Sequence, residues 1–133
     1  MNPTRGVLDT SVFIASESGR VLAVDRLPDE VAASVITLAE LRAGVLVAGD
    51  THIRARRLAT LESLADIEVI PIDRNAAEIW ALLRVHLAEA GRRLNVNDLW
   101  IAASAASRGL PVVTQDADFD PVDGVAGVSV IRV

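Results

Sequence analysis

The chain has 133 residues, no cysteine and a net charge of −5. That length fits one domain with room for a real core, and the absence of cysteine excludes a disulfide framework and thiolate metal ligation while suiting a reducing, intracellular compartment. All 13 basic residues are arginine, which excludes the P-loop, Schiff-base chemistry and the lysine-dependent receiver domains. The acidic balance leans away from a nucleic-acid partner, since a phosphate backbone rewards clustered positive charge. Apolar residues make up 51% and mean hydropathy is +0.37, high for a small soluble monomer, so a protein–protein interface is expected. The start, "MNPTRGVLDT", has no apolar leader, and the longest uncharged windows fall short of the ~18 residues of a membrane span. A soluble cytoplasmic protein is the expectation.

Along the chain the apolar period switches between two and about 3.6. "RGVLD" is a short strand ending in Asp9. "TSVFIAS" and "RVLAVDRL" read as short helices separated by Gly19, and "VAASVI" as a second buried strand. "TLAELRAGVLVAG" predicts a helix from Thr37 to Gly49, followed after a Gly-Asp turn by the amphipathic helix "THIRARRLATLESLA". "IEVIPID" is strand-like, with Pro71 pointing to a sheet edge or strand end. "RNAAEIWALLRVHLAEAG" places Ala76, Ile79, Leu83 and Leu87 on one helical face and stops at Gly91. "VNDLWIAASAASRG" is a further helix, "LPVVTQD" a short buried strand and "GVSVIRV" a last strand. Strand–helix alternation with nearly continuous apolar strands predicts one domain over 1–133, an α/β/α sandwich around a mostly parallel sheet.

In such sheets ligands sit beyond the carboxyl ends of the strands, where helix N-termini also point. Asp9 ends the first strand and Asp116 the strand "PVVT", while Glu40 and Asp98 lie on first turns of helices. Four acids from distant parts of the chain are predicted to converge. Each has an ordinary account when taken singly. Thr37 and Glu40 form T-x-x-E, a capping box; Asp98 suits a helix N-terminus through the dipole; Asp9 can cap the next helix, and "QDADFD" can be an acidic turn. Together they carry a cost, because two carboxylates ~5 Å apart repel by ~3 kcal/mol at an effective dielectric of about 20. Either their pKa values rise or a cation resides among them.

An all-oxygen carboxylate site suits Mg²⁺ or Mn²⁺. Zinc fits poorly, since His52 and His86 have no ligand spacing and each falls on a helix. Scarce histidine also argues against a two-histidine nuclease or a Ser-His-Asp hydrolase. The chemistry that clustered acids support best is metal-assisted hydrolysis of a phosphate ester, in which the metal polarises the phosphoryl group and lowers the pKa of water.

The ordered set "VLDTSVFIA", "SVITLAELRAG" and "NVNDLWIAASAASRGLPVVTQDADF" closely resembles the PIN-domain ribonucleases of the VapC type, toxins of VapBC toxin–antitoxin pairs. The resemblance spans nearly the whole chain. It implies that Asp9, Glu40, Asp98 and Asp116 form an acidic quartet, that Asp9, Asp98 and Asp116 hold Mg²⁺ or Mn²⁺, and that Asp118 is a fifth carboxylate at the metal. Asp118 would face the same side as Asp116 if the chain stays extended. Ser11 and Thr114 match polar positions beside the metal that orient the carboxylates, with local turn bonding as the other account. Asp120, before Pro121, is left without a role. The resemblance further implies cleavage of structured RNA (tRNA or rRNA) to leave a 5′-phosphate and a 3′-hydroxyl, inhibition of translation, a VapB-type antitoxin partner and a homodimer.

Two basic clusters offer phosphate contacts: Arg54, Arg56 and Arg57 in "RARR", and Arg92 and Arg93 in "GRR". A solvated helix face or loop is the alternative for each. The helix "TLAELRAGVLVAG" is apolar nearly all round, so one face can join the core while another receives a partner helix. Trp80 and Trp100 are expected in core packing rather than as interface anchors. Two other functions compete. A HAD-like phosphatase is suggested by a strand-terminal Asp9 and the D-x-D at 116–118, but Ser11 stands where a second aspartate should be and lysine is absent. A non-catalytic module that keeps the fold and binds only a protein is the other.

Overall fold

The computed structural model describes residues 4–133, so the first three positions of the 1–133 span lie outside the described residues. Five strands, β1 (Arg5–Leu8), β2 (Glu30–Ser34), β3 (Glu68–Ile70), β4 (Val112–Thr114) and β5 (Val130–Arg132), form one sheet of order β3-β2-β1-β4-β5. Every neighbouring pair is parallel. Five α-helices connect them: α1 (Thr10–Glu17), α2 (Val35–Val47), α3 (Thr51–Glu62), α4 (Arg74–Ala90) and α5 (Val96–Ser107).

The pleat assigns the strand residues to two cores, because successive side chains point to opposite faces. Val7, Ala32, Ile70 and Val112 turn toward α4 and α5, where they meet Leu83, Leu87, Leu99 and Ile101. Their neighbours Leu8, Ala33 and Val113 turn the other way, onto Val12 and Phe13 of α1, Leu41 and Val45 of α2 and Leu61 of α3. The result is the expected three-layer α/β/α sandwich. α5 is buried nearly all round, and its run Ala102, Ala103, Ser104, Ala105 lets it lie close to both sheet and α4. Trp80 and Trp100 stack across the α4–α5 seam with ring centroids 5.0 Å apart, and Trp80 packs on the first core.

Three local expectations are corrected. α2 begins at Val35 rather than Thr37, because Ser34 is the N-cap and its hydroxyl accepts from the Ile36 N–H at 3.1 Å. The strand "VAASVI" accordingly ends at Ser34, and Thr37 and Glu40 form no capping box. "RVLAVDRL" is not an α-helix. It keeps only a 3₁₀ turn at Val24–Arg26, since Pro28 pushes Leu27 into extended backbone (φ −69°, ψ 140°) and Val21 and Val24 have nothing to pack on. After β4 the chain bends through residues 115–117 instead of staying extended.

Candidate active site

In the order β3-β2-β1-β4-β5 the chain's progression reverses between β1 and β4, and ligands bind at such a switch point beyond the carboxyl ends of the strands. Asp9 follows β1 there and Asp116 lies two residues past β4. Glu40 on α2 and Asp98 on the first turn of α5 reach the same end of the sheet.

Asp9 occupies the N-cap position of α1, yet its side chain makes no cap bond. Its two carboxylate oxygens are instead taken by hydroxyls: Ser11 donates to Oδ1 at 2.6 Å and Thr114 to Oδ2 at 2.9 Å. Ser11 is fixed in turn by the Gln115 N–H at 3.1 Å. Asp9 is only 3% exposed, so the sheet commits a nearly buried carboxylate to this place without an ion pair among the described residues. Burial pushes its pKa up from 3.8 to about 6; the Ser11 and Thr114 hydroxyls oppose that rise, and Asp116 adds repulsion.

Asp98 is pushed further, from 3.8 to about 7, by burial first and then by the charges of Asp9, Glu40, Asp118 and Asp116. Asp98 therefore lies within electrostatic reach of the other four carboxylates. Asp98 sits in the first turn of α5, but the N-cap is Asn95, whose side chain accepts from the Asn97 N–H at 2.8 Å. Asp116 and Asp118 come together by a turn, with the Asp118 N–H donating to Asp116 Oδ1 at 3.1 Å. Bent rather than extended backbone therefore keeps Asp118 near the group. Asp120 opens a 3₁₀ turn and is exposed.

Glu40 is held by two residues that sequence reasoning missed. Thr10 donates to its Oε1 at 2.6 Å, and Asn97 donates to Oε2 at 3.3 Å. Thr37, buried on α2, has its hydroxyl 3.1 Å from that of Thr10. Thr10 and Asn97 each adjoin a recognised site residue in sequence, and that adjacency was the available signal.

The arginines separate. Arg57 donates to the Gly44 carbonyl at 2.7 Å and Arg54 to the Ala48 carbonyl at 3.0 Å, so both satisfy the C-terminal end of α2. Arg57 also walls a cleft of about 330 Å³ between α1, α2 and α3, with Ile14, Leu41, Gly44 and, at its inner end, Thr10 and Glu40. Arg56 is exposed on α3. Arg92 and Arg93 border a second cleft, of about 380 Å³, together with Asp98, Asp118 and Pro121. Their position follows from Gly91, whose left-handed backbone (φ 64°) ends α4 and turns the chain toward the carboxylates. The structure thus brings "GRR" to the acids and ties two of the three "RARR" guanidiniums to helix carbonyls.

Donor chemistry at this end of the sheet is carboxylate oxygen throughout, the set a hard divalent cation takes. Among the described residues no group of three or more such side chains stands in an arrangement that could hold a metal ion as the side chains lie.

A parallel sheet in this order with acids at its switch point defines an acid-cluster nuclease fold, and the family model described as "PIN domain" matches residues 6–125. The chain belongs to the PIN-domain family, among the VapC ribonucleases. It is 66% identical over 131 residues to Ribonuclease VapC5 of Mycobacterium tuberculosis, covering 98% of this chain and 97% of that one. Identity to Ribonuclease VapC4 of the same organism is 41%, over 98% of this chain and 100% of that one. The crystal structure of VapBC-5, a member of the VapBC family of toxin–antitoxin systems from M. tuberculosis, superposes with a TM-score of 0.92 at 62% identity, covering 98% of this chain and 100% of that one. PIN-domain nucleases of this type are metal-dependent as a class, and membership removes the HAD-like alternative. No helix among the described residues is long and apolar enough to cross a membrane.

Proposed function

We propose that the chain is the toxin of a type II toxin–antitoxin pair, a cytoplasmic, Mg²⁺- or Mn²⁺-dependent endoribonuclease that hydrolyses structured RNA, tRNA or rRNA, and so inhibits translation. The carrying observation is the meeting of Asp9, Glu40, Asp98, Asp116 and Asp118 at the switch point, with both oxygens of the buried Asp9 already oriented by hydroxyls.

Asp9, Asp98 and Asp116 would hold the cation, with Asp118 beside them. A divalent cation bound there supplies Lewis acidity and acidifies water. The protein's own contribution is placement. Ser11 and Thr114 keep Asp9 in one orientation, as supporting partners of metal ligands do. Thr10 and Asn97 hold Glu40, whose carboxylate accepts the proton of the attacking water. In-line attack at phosphorus breaks the bond to the 3′ oxygen, leaving a 3′-hydroxyl and a 5′-phosphate. Arg92 and Arg93 contact the backbone phosphates, which offsets the negative charge of the chain where RNA approaches. With no tyrosine and only two Phe and two Trp, recognition leans on RNA shape and backbone.

Residues 1–133 form a single PIN domain in this reading. The partner is a VapB-type antitoxin, whose apolar helix would lie against exposed apolar side chains of α1 and α2: Ile14 is 48% exposed beside the α1–α2–α3 cleft, and Leu46 and Val47 stand 69% and 76% exposed at the end of α2. A homodimer completes the assembly, with exposed Leu82 and Val85 on α4 supplying apolar area.

The test is cleavage of purified tRNA and rRNA by antitoxin-free protein with Mg²⁺, with Mn²⁺ and with EDTA, alongside Asp98→Asn. Discrete fragments lost with EDTA and with the variant are expected. Wild type and variant behaving alike on both RNAs and both metals would leave the non-catalytic binding module as the function.

A further inference from the structure

A third cleft adjoins the acid cluster and has a different character. It has a volume of about 550 Å³, and its rim carries Arg84 of α4 with Arg92 and Arg93, while Leu87, Val96 and Leu99 line its floor. Arg92, Arg93 and Leu94 also border the cleft that contains Asp98 and Asp118, so the two clefts adjoin. Among the described residues none of the three rim guanidiniums has an ion pair or hydrogen bond, in contrast to Arg54 and Arg57 of α3, which bond carbonyls at the end of α2, and to Arg5 and Arg108, which face Glu30 and Glu68.

An unpaired cationic rim around an apolar floor matches one ligand chemistry: an anionic phosphate joined to a flat, largely apolar ring. Volume agrees, since pockets that enclose small ligands run about 300–1,000 Å³. Val96 is 61% exposed at the start of α5, leaving an apolar surface open above the buried Leu87 and Leu99.

We infer that this cleft is a nucleotide subsite, holding a residue of the RNA that flanks the scissile bond, with its base against the exposed Val96, which covers the buried Leu87 and Leu99, and its phosphate on Arg84, Arg92 and Arg93. The inference rests on the nuclease reading for its biological role, but nucleotide binding can be read without catalysis. Arg84 is then an RNA-binding residue on α4, and the subsite extends the phosphate contacts of Arg92 and Arg93 by one position beside the cut.

The full-length Asp98→Asn protein, labelled with ¹⁵N and kept in EDTA, is titrated with each of the four nucleoside 5′-monophosphates and with inorganic phosphate. The amides of Gly91, Arg92 and Val96 should shift for at least one nucleotide at lower concentration than for phosphate, and Arg84→Gln should weaken that binding about tenfold, the worth of one charge-assisted hydrogen bond. In the active enzyme the same substitution should raise KM for tRNA and leave kcat in place. Equal response to phosphate and nucleotides, shifts centred elsewhere, no shift at millimolar ligand, or an unchanged KM in Arg84→Gln would each overturn the subsite. Failure of the nuclease reading looks different: wild type then cuts no RNA with either metal, whatever the titration shows.

Discussion

Thr10 donates its hydroxyl proton to Glu40 Oε1 at 2.6 Å, joining the first residue of α1 to a carboxylate 30 positions away on α2. A hydroxyl-to-carboxylate bond this short is in the stronger class. It holds Glu40 against the repulsion of the other acids. Thr10→Val keeps the shape and removes the donor, so kcat on RNA should fall by about tenfold, the equivalent of roughly 1.4 kcal/mol, with KM nearly unchanged. Thr10→Ser should restore most of the rate. Equal losses in the Val and Ser variants would show that the methyl group, not the hydrogen bond, is what matters at this position.

The raised pKa values of Asp9 and Asp98 make the metal-free protein pH-sensitive in a defined direction. A carboxyl whose folded value lies above its unfolded 3.8 binds more protons folded than unfolded. Its contribution is fully present below about pH 3.8 and is lost as pH rises through about 6 for Asp9 and about 7 for Asp98. The rise at Asp9 from 3.8 to about 6 corresponds on its own to about 3 kcal/mol, and the half-buried Asp98 adds less than its larger rise would give because solvent screens it. Thermal melts in EDTA should therefore show Tm falling between pH 5 and pH 8 relative to Asp98→Asn, whose amide removes one of the charges. Mn²⁺ or Mg²⁺ should raise Tm in the wild type, more strongly at the higher pH because binding releases the retained protons. A Tm difference between wild type and Asp98→Asn that is independent of pH would mean that the acids are not coupled as the structure places them.

The two basic clusters should part company in a salt titration. Arg57→Gln removes a bond to the Gly44 carbonyl and should lower stability by about 1 kcal/mol, with little effect on how steeply tRNA affinity falls with salt. Arg92→Gln and Arg93→Gln should leave Tm in place and each reduce the slope of log affinity against log salt by about one. A reversed pattern, with Arg57 setting the slope, would move the RNA path to the α1–α2–α3 side.

The layers and the acids were legible in the sequence because both rest on periodicity and strand ends. Val7/Leu8, Ala32/Ala33 and Val112/Val113 alternate between the two cores as a pleated sheet requires, and Asp9 and Asp116 follow buried strands. What was illegible depended on contacts distant in sequence. T-x-x-E is a capping signature until Ser34 is seen to cap three residues earlier, and then Glu40 is free to bond Thr10 and Asn97. "RARR" and "GRR" are indistinguishable as strings. Only the packing of α3 on α2 shows that Arg54 and Arg57 are engaged by carbonyls, and only the turn at Gly91 brings the other pair to the carboxylates.

Gly6, three residues before Asp9 on the central strand, ties fold to site most directly. A Cβ there would lie 2.8 Å from Pro28 Cγ and 2.9 Å from Val113 Cγ2, closer than packed carbons approach. Pro28 precedes β2 and Val113 belongs to β4, so Gly6→Ala would press β1 away from elements on both sides. Overpacking of this kind typically costs about 1–3 kcal/mol. The strain would also reach Asp9, whose N–H donates to the Val113 carbonyl at 3.0 Å and whose Oδ2 depends on Thr114. Gly6→Ala should therefore lower Tm and reduce kcat even at temperatures where the protein remains folded, with a weaker apparent affinity for Mn²⁺. Loss of stability with unchanged kcat and metal affinity would show that β1 relaxes without moving Asp9.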